Sequence, residues 1–323
     1  MLGFLRRAGL AAQNESPRAF ALTGGVSSDI WRVELRTGTI CVKRALARLR
    51  VAQLWEAPVG RNVFERRWME TANRAVPGIA PKILAHDDSG VFAMEYLDGA
   101  TYPLWKAELR SGRADPEFAR SVGASLVRVH ASTAGRDDIA RQFAADAGFH
   151  AIRLEPYLLA TARVHADLAQ ALNSLVERTA ATRLALVHGD VSPKNILVGP
   201  AGPVFLDAEC AWYGDPAFDL AFCLNHLVLK GAWVPESQAD FLACFDALAG
   251  AYLAGVTWES ASALEARAAS LLPGLLLARV DGKSPVEYLK SDADKDFVRA
   301  VAGRFLRSPP ATLAEIRGAW QRS

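Results

Sequence analysis

The chain has 323 residues, 51% hydrophobic and 22% charged, which is long enough for one large domain or two smaller ones and is the composition of a globular protein. A net charge of +2 leaves no electrostatic footprint for nucleic acid, and the four cysteines (Cys41, Cys210, Cys223, Cys244) form no C-x-x-C pair, which argues for reduced thiols over a disulfide framework or a zinc site. The apolar run before Arg6-Arg7 is too short for a secretory signal and no uncharged apolar stretch reaches the roughly 18 residues of a membrane span, so a soluble cytoplasmic protein without membrane or nucleic-acid partners is the default expectation.

Phe20-Ala21-Leu22 reads as a strand leading into Thr23-Gly24-Gly25-Val26-Ser27-Ser28-Asp29. Residues 30–35 alternate with period two, 36–39 signal a turn, and Ile40-Cys41-Val42-Lys43 returns as a strand. A Gly24-Gly25 turn lets backbone N–H groups approach a phosphate without Cβ interference, although any glycine-rich hairpin looks the same. Lys43 is a cation ending an otherwise apolar strand. It either points to water or sharpens the phosphate reading. The short basic cluster Lys43, Arg44, Arg48, Arg50 reads as a solvated face and not as a phosphate track.

Residues 61–76 form a helix by the stripe Phe64, Trp68, Met69, Ala72 and Val76. Glu65 lies beside that stripe and is the expected partner of Lys43, with Glu70 its competitor. Residues 76–81 end the helix, and 82–86 with 91–97 form a hairpin through Asp87-Asp88-Ser89-Gly90. Asp98-Gly99 marks a hinge between a mainly β lobe, 1–98, and a mainly helical one, 99–323.

From residue 115 the period becomes helical, with Asp115-Pro116 as a start signal and Phe118, Val122, Leu126 and Val129 on one face. His130, at the end of that helix, reads as a core or interface residue. A second helix covers 166–182. Three short apolar runs follow, 184–187, 196–198 and 204–206. Between the first two lies His188-Gly189-Asp190-Val191-Ser192-Pro193-Lys194-Asn195, and the third ends on Asp207. Asp190, Asn195 and Asp207 therefore sit at the ends of short strands, close together. A carboxylate for a hydroxyl proton and two hard oxygen ligands for Mg²⁺ are what phosphoryl transfer from ATP requires. Further helices are expected at 217–230, 236–254, 259–279, 293–306 and 310–321.

His188-Gly189-Asp190, Asn195, Asp207-Ala208-Glu209 and Gly214-Asp215-Pro216-Ala217-Phe218-Asp219-Leu220-Ala221 resemble the kinase-like phosphotransferases, a superfamily that includes aminoglycoside phosphotransferases, choline and ethanolamine kinases and methylthioribose kinase. H-G-D and G-D-P-x-x-D-L-A are the forms of its small-molecule branch. The Phe and Gly of D-F-G are replaced by Ala208 and Glu209, which removes a Phe switch. The resemblance implies an α+β, bilobal, protein-kinase-like fold and an ATP- and Mg²⁺-dependent enzyme that phosphorylates a hydroxyl of a small molecule. It makes Asp190 the group that takes the hydroxyl proton and makes Asn195 and Asp207 the Mg²⁺ ligands. Lys43, positioned by Glu65, contacts the α- and β-phosphates, with Gly24 and Gly25 in the phosphate loop. The backbones of Glu95 and Leu97 meet the adenine edge. His188 and Asp219 brace the catalytic loop.

A protein kinase is the alternative, but only seven residues separate Asp207 from Asp215, too few for a peptide-docking activation segment, and no A-P-E is visible. A nucleotide-binding pseudoenzyme is disfavoured because every chemical residue is present. The acceptor is less legible. Trp212 and Tyr213 are candidate faces for a quaternary ammonium, if they are not ordinary packing. His226, Arg279 and Asp281 are further candidate contacts, an ion pair fixing the loop being the competing reading for the last two. Lys194 reaches a phosphate oxygen or is solvated.

Overall fold

The computed structural model describes residues 1–22, 28–45 and 61–320. Gly24, Gly25, Arg48 and Arg50 lie outside the described residues. The chain opens with a short helix, α1 (Leu2–Arg7), followed by β1 (Arg18–Ala21), β2 (Ser28–Leu35), β3 (Gly38–Ala45), α2 (Arg61–Ala75), β4 (Ile83–His86) and β5 (Phe92–Glu95). The strands form one antiparallel sheet in the order β1-β2-β3-β5-β4. Alternation along β3 decides what each sheet face does. Ile40 and Val42 join Val33, Leu35 and Ala93 in a small core sealed by Phe4 and Leu5 of α1. Cys41 points the other way, into the large core, and period two puts Lys43 on the side of Cys41.

The remainder is mainly helical: α3 (Trp105–Arg110), α4 (Pro116–Thr133), α5 (Asp137–Gln142), α6 (Asp146–Phe149), a wide-turned π segment (His150–Leu159), α7 (Ala160–Val164) and α8 (Ala169–Ala181). The Asp115 carboxylate caps α4 by accepting from Glu117 N at 2.8 Å, with Pro116 at the first helical position. Two small ribbons then carry the motif residues, β6 (Ala185–Val187) pairing with β9 (Trp212–Gly214) and β7 (Ile196–Gly199) with β8 (Gly202–Phe205). The last third is α9 (Ala217–Trp233), α10 (Gln238–Ala254), α11 (Ala261–Asp281), α12 (Asp292–Arg307) and α13 (Leu313–Ala319). The whole is a bilobal α+β fold.

α9 is buried from Ala217 to Gly231 and is the axis of the large core. α11 is long and apolar enough to cross a membrane by length and composition, yet Leu264, Leu271, Leu272, Leu275, Leu276 and Leu277 are all buried inside the fold. All four cysteines are buried thiols.

Candidate active site

Lys43 is wholly buried and held between two carboxylates, its Nζ 2.8 Å from Glu65 Oε1 and 2.6 Å from Asp207 Oδ1. Glu70 is elsewhere, in an i,i+4 pair with Arg66 at 2.8 Å. Burial alone would strip the Lys43 ammonium of its proton, but Asp207 and Glu65 outweigh that and hold the proton more firmly than in water. One cation cannot compensate two buried anions equally. Burial would raise Asp207 as well, but Lys43 and Lys194 keep its carboxyl well below the usual range, whereas burial pushes Glu65 up to about 7 against the pull of Lys43.

Asp207 has φ +63°, the one positive value among described non-glycine residues. An Asp tolerates this left-handed region better than most residues, and such strain persists where the surroundings over-determine it.

Asp190 is buried, and its Oδ2 converges with three donors: Arg153 Nη2 at 2.9 Å, Lys194 Nζ at 3.1 Å and Asn195 Nδ2 at 2.8 Å. Burial pushes its carboxyl up, but Arg153 and Lys194 more than reverse this and keep it ionised. Asn195 Nδ2 also donates to Asp190 O at 3.1 Å, so the amide is oriented with its oxygen turned away from Asp190. Among the described residues neither Asn195 Oδ1 nor Asp207 Oδ2 accepts a hydrogen bond. These are two hard oxygens with free lone pairs, one carboxylate and one amide. That donor set fits a Mg²⁺ ion that draws its remaining ligands from phosphates and water. No cluster of three or more His, Cys, Asp or Glu able to hold a metal by itself occurs among the described residues.

The loop is braced from below. Asp219 accepts from His188 N at 2.7 Å and Gly189 N at 2.8 Å, and lies 3.2 Å from His130 Nε2. The other ring nitrogen of His130 is 2.6 Å from the Tyr252 hydroxyl. His188 accepts from Asp190 N through Nδ1 at 3.1 Å, which leaves Nε2–H to donate to Leu206 O, also at 3.1 Å. Burial lowers its pKa, and Trp68 packs edge-on at 4.6 Å. A neutral imidazole thus ties the Asp190 loop to the strand that delivers Asp207. Gly189 has φ +79°, and a Cβ there would lie 2.7 Å from Cys210 O, so the middle of H-G-D admits no side chain.

Glu95 ends β5 opposite Ile40 and donates its N–H to Lys82 O at 2.9 Å. Leu97 lies just beyond, with no partner for its N–H among the described residues. Arg279 and His226 approach the site through shared rings. Arg279 lies over Tyr157 and His226 packs edge-on against Phe222, and Arg153 reaches both rings. The expectation of acceptor contacts from Trp212 and Tyr213 does not hold. Trp212 is buried and stacked on Phe149 at 4.2 Å, and the Tyr213 hydroxyl bonds Leu184 O at 2.8 Å in the β6–β9 ribbon. Asp281 is likewise structural, both oxygens taken by Arg299 and one shared with His165.

Arg153 was not visible as a site residue in the sequence. It sits in the π segment, where i→i+5 turns and Pro156 break the helical period that would have revealed its face. Lys230, a buried cation of α9, was not singled out either. A usable signal existed: His226 and Lys230 are four residues apart on one face of an otherwise apolar helix.

A buried Lys–Glu pair, an Asp with one free oxygen beside an oriented Asn, and a second, cation-held Asp on a loop with no room for a side chain come together on a kinase-like fold. The phosphotransferase enzyme family model matches residues 20–264, and the chain belongs to that family. Methylthioribose kinase of Yersinia pseudotuberculosis serotype O:1b is 26% identical over 222 residues, 61% of this chain and 54% of that protein. The Pectobacterium atrosepticum methylthioribose kinase is 24% identical over 61% of this chain and 55% of its own. The chain thus spans about half the length of the curated relatives it matches. Two solved structures share the fold: a choline/ethanolamine kinase family protein from Mesorhizobium loti (TM-score 0.54, 16% identity, 99% of this chain and 97% of that one) and an amicoumacin kinase solved with AMP-PNP and Ca²⁺ (0.56, 15%, 97% and 95%).

Proposed function

We propose that this chain is a cytoplasmic small-molecule kinase that moves the γ-phosphoryl group of Mg-ATP to a hydroxyl of a small acceptor. The observation that carries the reading is the environment of Asp190. Its carboxylate is buried, kept ionised by Arg153 and Lys194, and fixed in direction by Asn195. A carboxylate so held accepts a hydrogen bond from an incoming hydroxyl and aims the oxygen, which is what a loose phosphoryl-transfer transition state asks of the protein. Lys43, kept charged by Glu65 and Asp207, supplies a cation for the phosphates. Asn195 and Asp207 would hold the Mg²⁺, which offsets charge on the phosphate oxygens when bound. Glu95 and Leu97 supply the backbone edge for the adenine, and Gly24 and Gly25 the phosphate loop. Residues 1–98 form the nucleotide lobe and 99–323 the acceptor lobe.

Asp190→Asn tests the reading. Transfer from ATP to an alcohol, followed as ADP release across sugars, polyols, amino alcohols and aminoglycosides, is expected to fall by about 10²-fold or more, while Mg-ATP binding persists. Retained turnover refutes the assignment.

A further inference from the structure

Behind Arg153, the partner of Asp190, lies a group of cations that the chemistry above does not use. Lys230 is 2% exposed, His226 6% and Arg279 9%. Among the described residues no carboxylate comes within ion-pair distance of Lys230, and neither Lys230 nor His226 makes a side-chain hydrogen bond. The Lys230 ammonium instead rests on the faces of Tyr288 at 4.6 Å and Trp233 at 5.1 Å. Arg279 donates through Nη1 to the Tyr157 hydroxyl at 3.3 Å and the Ser284 hydroxyl at 3.0 Å, yet its buried Nε has no acceptor, and neither does the buried hydroxyl of Tyr288. Glu287, the carboxylate whose charge Lys230 feels, is exposed and paired with the half-buried Lys106.

An uncompensated charge in a low-dielectric site is costly, and evolution retains it where something else compensates it. Every unpartnered group just named, apart from the ambivalent imidazole, offers a proton and none offers a negative charge. The missing element is an anion. The group also has a fixed relation to the catalytic carboxylate. Arg153, which pairs with Asp190 at 2.9 Å, lies over both Tyr157 (5.8 Å) and Phe222 (5.6 Å). Arg279 lies over the same Tyr157 at 5.6 Å, and His226 is 5.3 Å from the same Phe222. Two rings therefore separate Arg279 and His226 from the proton acceptor, and Lys230 lies one helical turn beyond His226 on α9.

We propose that the acceptor is an anionic alcohol, a small hydroxylated molecule bearing a carboxylate or a phosphate, whose negative group is held by Lys230, Arg279 and His226 while its hydroxyl meets Asp190. The inference rests on the kinase reading. In the step, the acceptor oxygen bonds to the γ-phosphorus as the bond from phosphorus to the β,γ-bridging oxygen breaks, the hydroxyl proton passes to Asp190, and ADP leaves with the bond's electrons. A cluster of this sign disfavours a polycationic acceptor, whose amines Lys230, Arg279 and Arg153 would repel.

The experiment has two arms. In the first, inorganic sulfate is titrated calorimetrically into the full chain with the nucleotide site filled by Mg-ADP. Sulfate is expected to bind wild type, and Lys230→Met to weaken binding by about tenfold or more, with Arg279→Lys weakening it less. Thermal denaturation guards against a folding artefact. Lys230→Met removes a buried unpaired charge, so its Tm is expected to hold or rise as anion binding falls, opposite signs that a purely structural lysine does not give. Absence of sulfate binding to wild type, or equal binding to Lys230→Met, overturns the proposal. In the second arm, ADP release with gluconate, glucose 6-phosphate and glucose separates a carboxylate from a phosphate preference. A higher kcat/KM for the neutral sugar overturns the proposal. Failure of the kinase reading looks different: Asp190→Asn retains turnover while sulfate binding is untouched.

Discussion

At the scale of single residues, the site is defined by how few groups are left without a role. Asp219 satisfies two backbone donors of the catalytic loop and orients His130, and His130 is held in turn by Tyr252. All three are buried. Asp219→Asn turns an NH₂ group onto one of three donors, and each unsatisfied buried partner costs about 1–3 kcal/mol. The variant is expected to lose about 2–5 kcal/mol in urea denaturation. Tyr252→Phe removes one hydrogen bond at the far end of the chain of contacts and is expected to lose only about 1 kcal/mol. Equal losses from both would refute the bracing role. Much of this was legible. The H-G-D and D-L-A motifs named Asp190, His188 and Asp219, but not His130, because a histidine closing an amphipathic helix carries no mark of what it meets across the fold.

At the scale of elements, helix geometry decides questions that motif reading leaves open. Glu65 shares its face with Trp68, Met69 and Ala72 at i+3, i+4 and i+7, and all three are buried, so its carboxylate is carried inward to Lys43. Glu70 falls on the opposite side with Arg66. The choice was therefore available from spacing alone. Trp212 shows the reverse case. Its aromatic face suggested a contact for a quaternary ammonium, with ordinary packing as the competing reading, and the residues after Asp207 turn back into the ribbon with β6 and bury it. Three-residue strands are too short to show a period. Close approach sets another limit. A Cβ on Gly123 of α4 would lie 2.3 Å from Leu248 O of α10. Alanine is the better helix former by about 1 kcal/mol, yet Gly123→Ala is expected to lower Tm, since the two helices must separate. A raised Tm would refute the tight contact. The Lys230 face of α9 gives a pH signature. Burial, reinforced by Lys106, lowers that ammonium to about 7 from the ordinary 10.5. Between those values the unfolded chain binds the proton and the fold does not, so stability rises with pH across the window, and the cost of the buried charge is fully felt below 7. The slope of the urea midpoint between pH 7 and 10.5 is expected to be steeper in wild type than in Lys230→Met. Parallel slopes would show that Lys230 is not the group titrating.

At the scale of the whole molecule, the sheet and the helical remainder meet at the chemistry. Lys43 of β3 reaches Asp207, Arg61 of α2 reaches Glu209 at 2.8 Å, and Trp68 of α2 packs on His188. Each tie ends on a residue of the His188–Asn195 loop or the segment after β8, so the proposed nucleotide site and the junction of the two lobes draw on the same side chains. The bilobal order was readable, since strands and helices segregate along the chain, but these ties were not, because they join residues up to 164 apart. They make Asp207 the position where ligand and fold are separable by one substitution. Asparagine tolerates φ +63° nearly as well as aspartate, and loss of one carboxylate leaves Lys43 and Glu65 as a balanced pair, with Glu65 free to ionise once its competitor for the ammonium is gone. Asp207→Asn is therefore expected to keep its Tm within a few degrees of wild type. Mg-ATP at about 100 times its Kd should stabilise wild type by about 2.7 kcal/mol, and most of that increment should vanish in the variant, because one of the two free metal oxygens has become part of an amide. Asp207→Ala, with no side chain suited to the left-handed conformation, should lose stability as well, by about 1–2 kcal/mol. Thermal denaturation of the three proteins with and without Mg-ATP reads both effects. A full Mg-ATP increment in Asp207→Asn would remove Asp207 from the metal site and leave it as the partner of Lys43 alone.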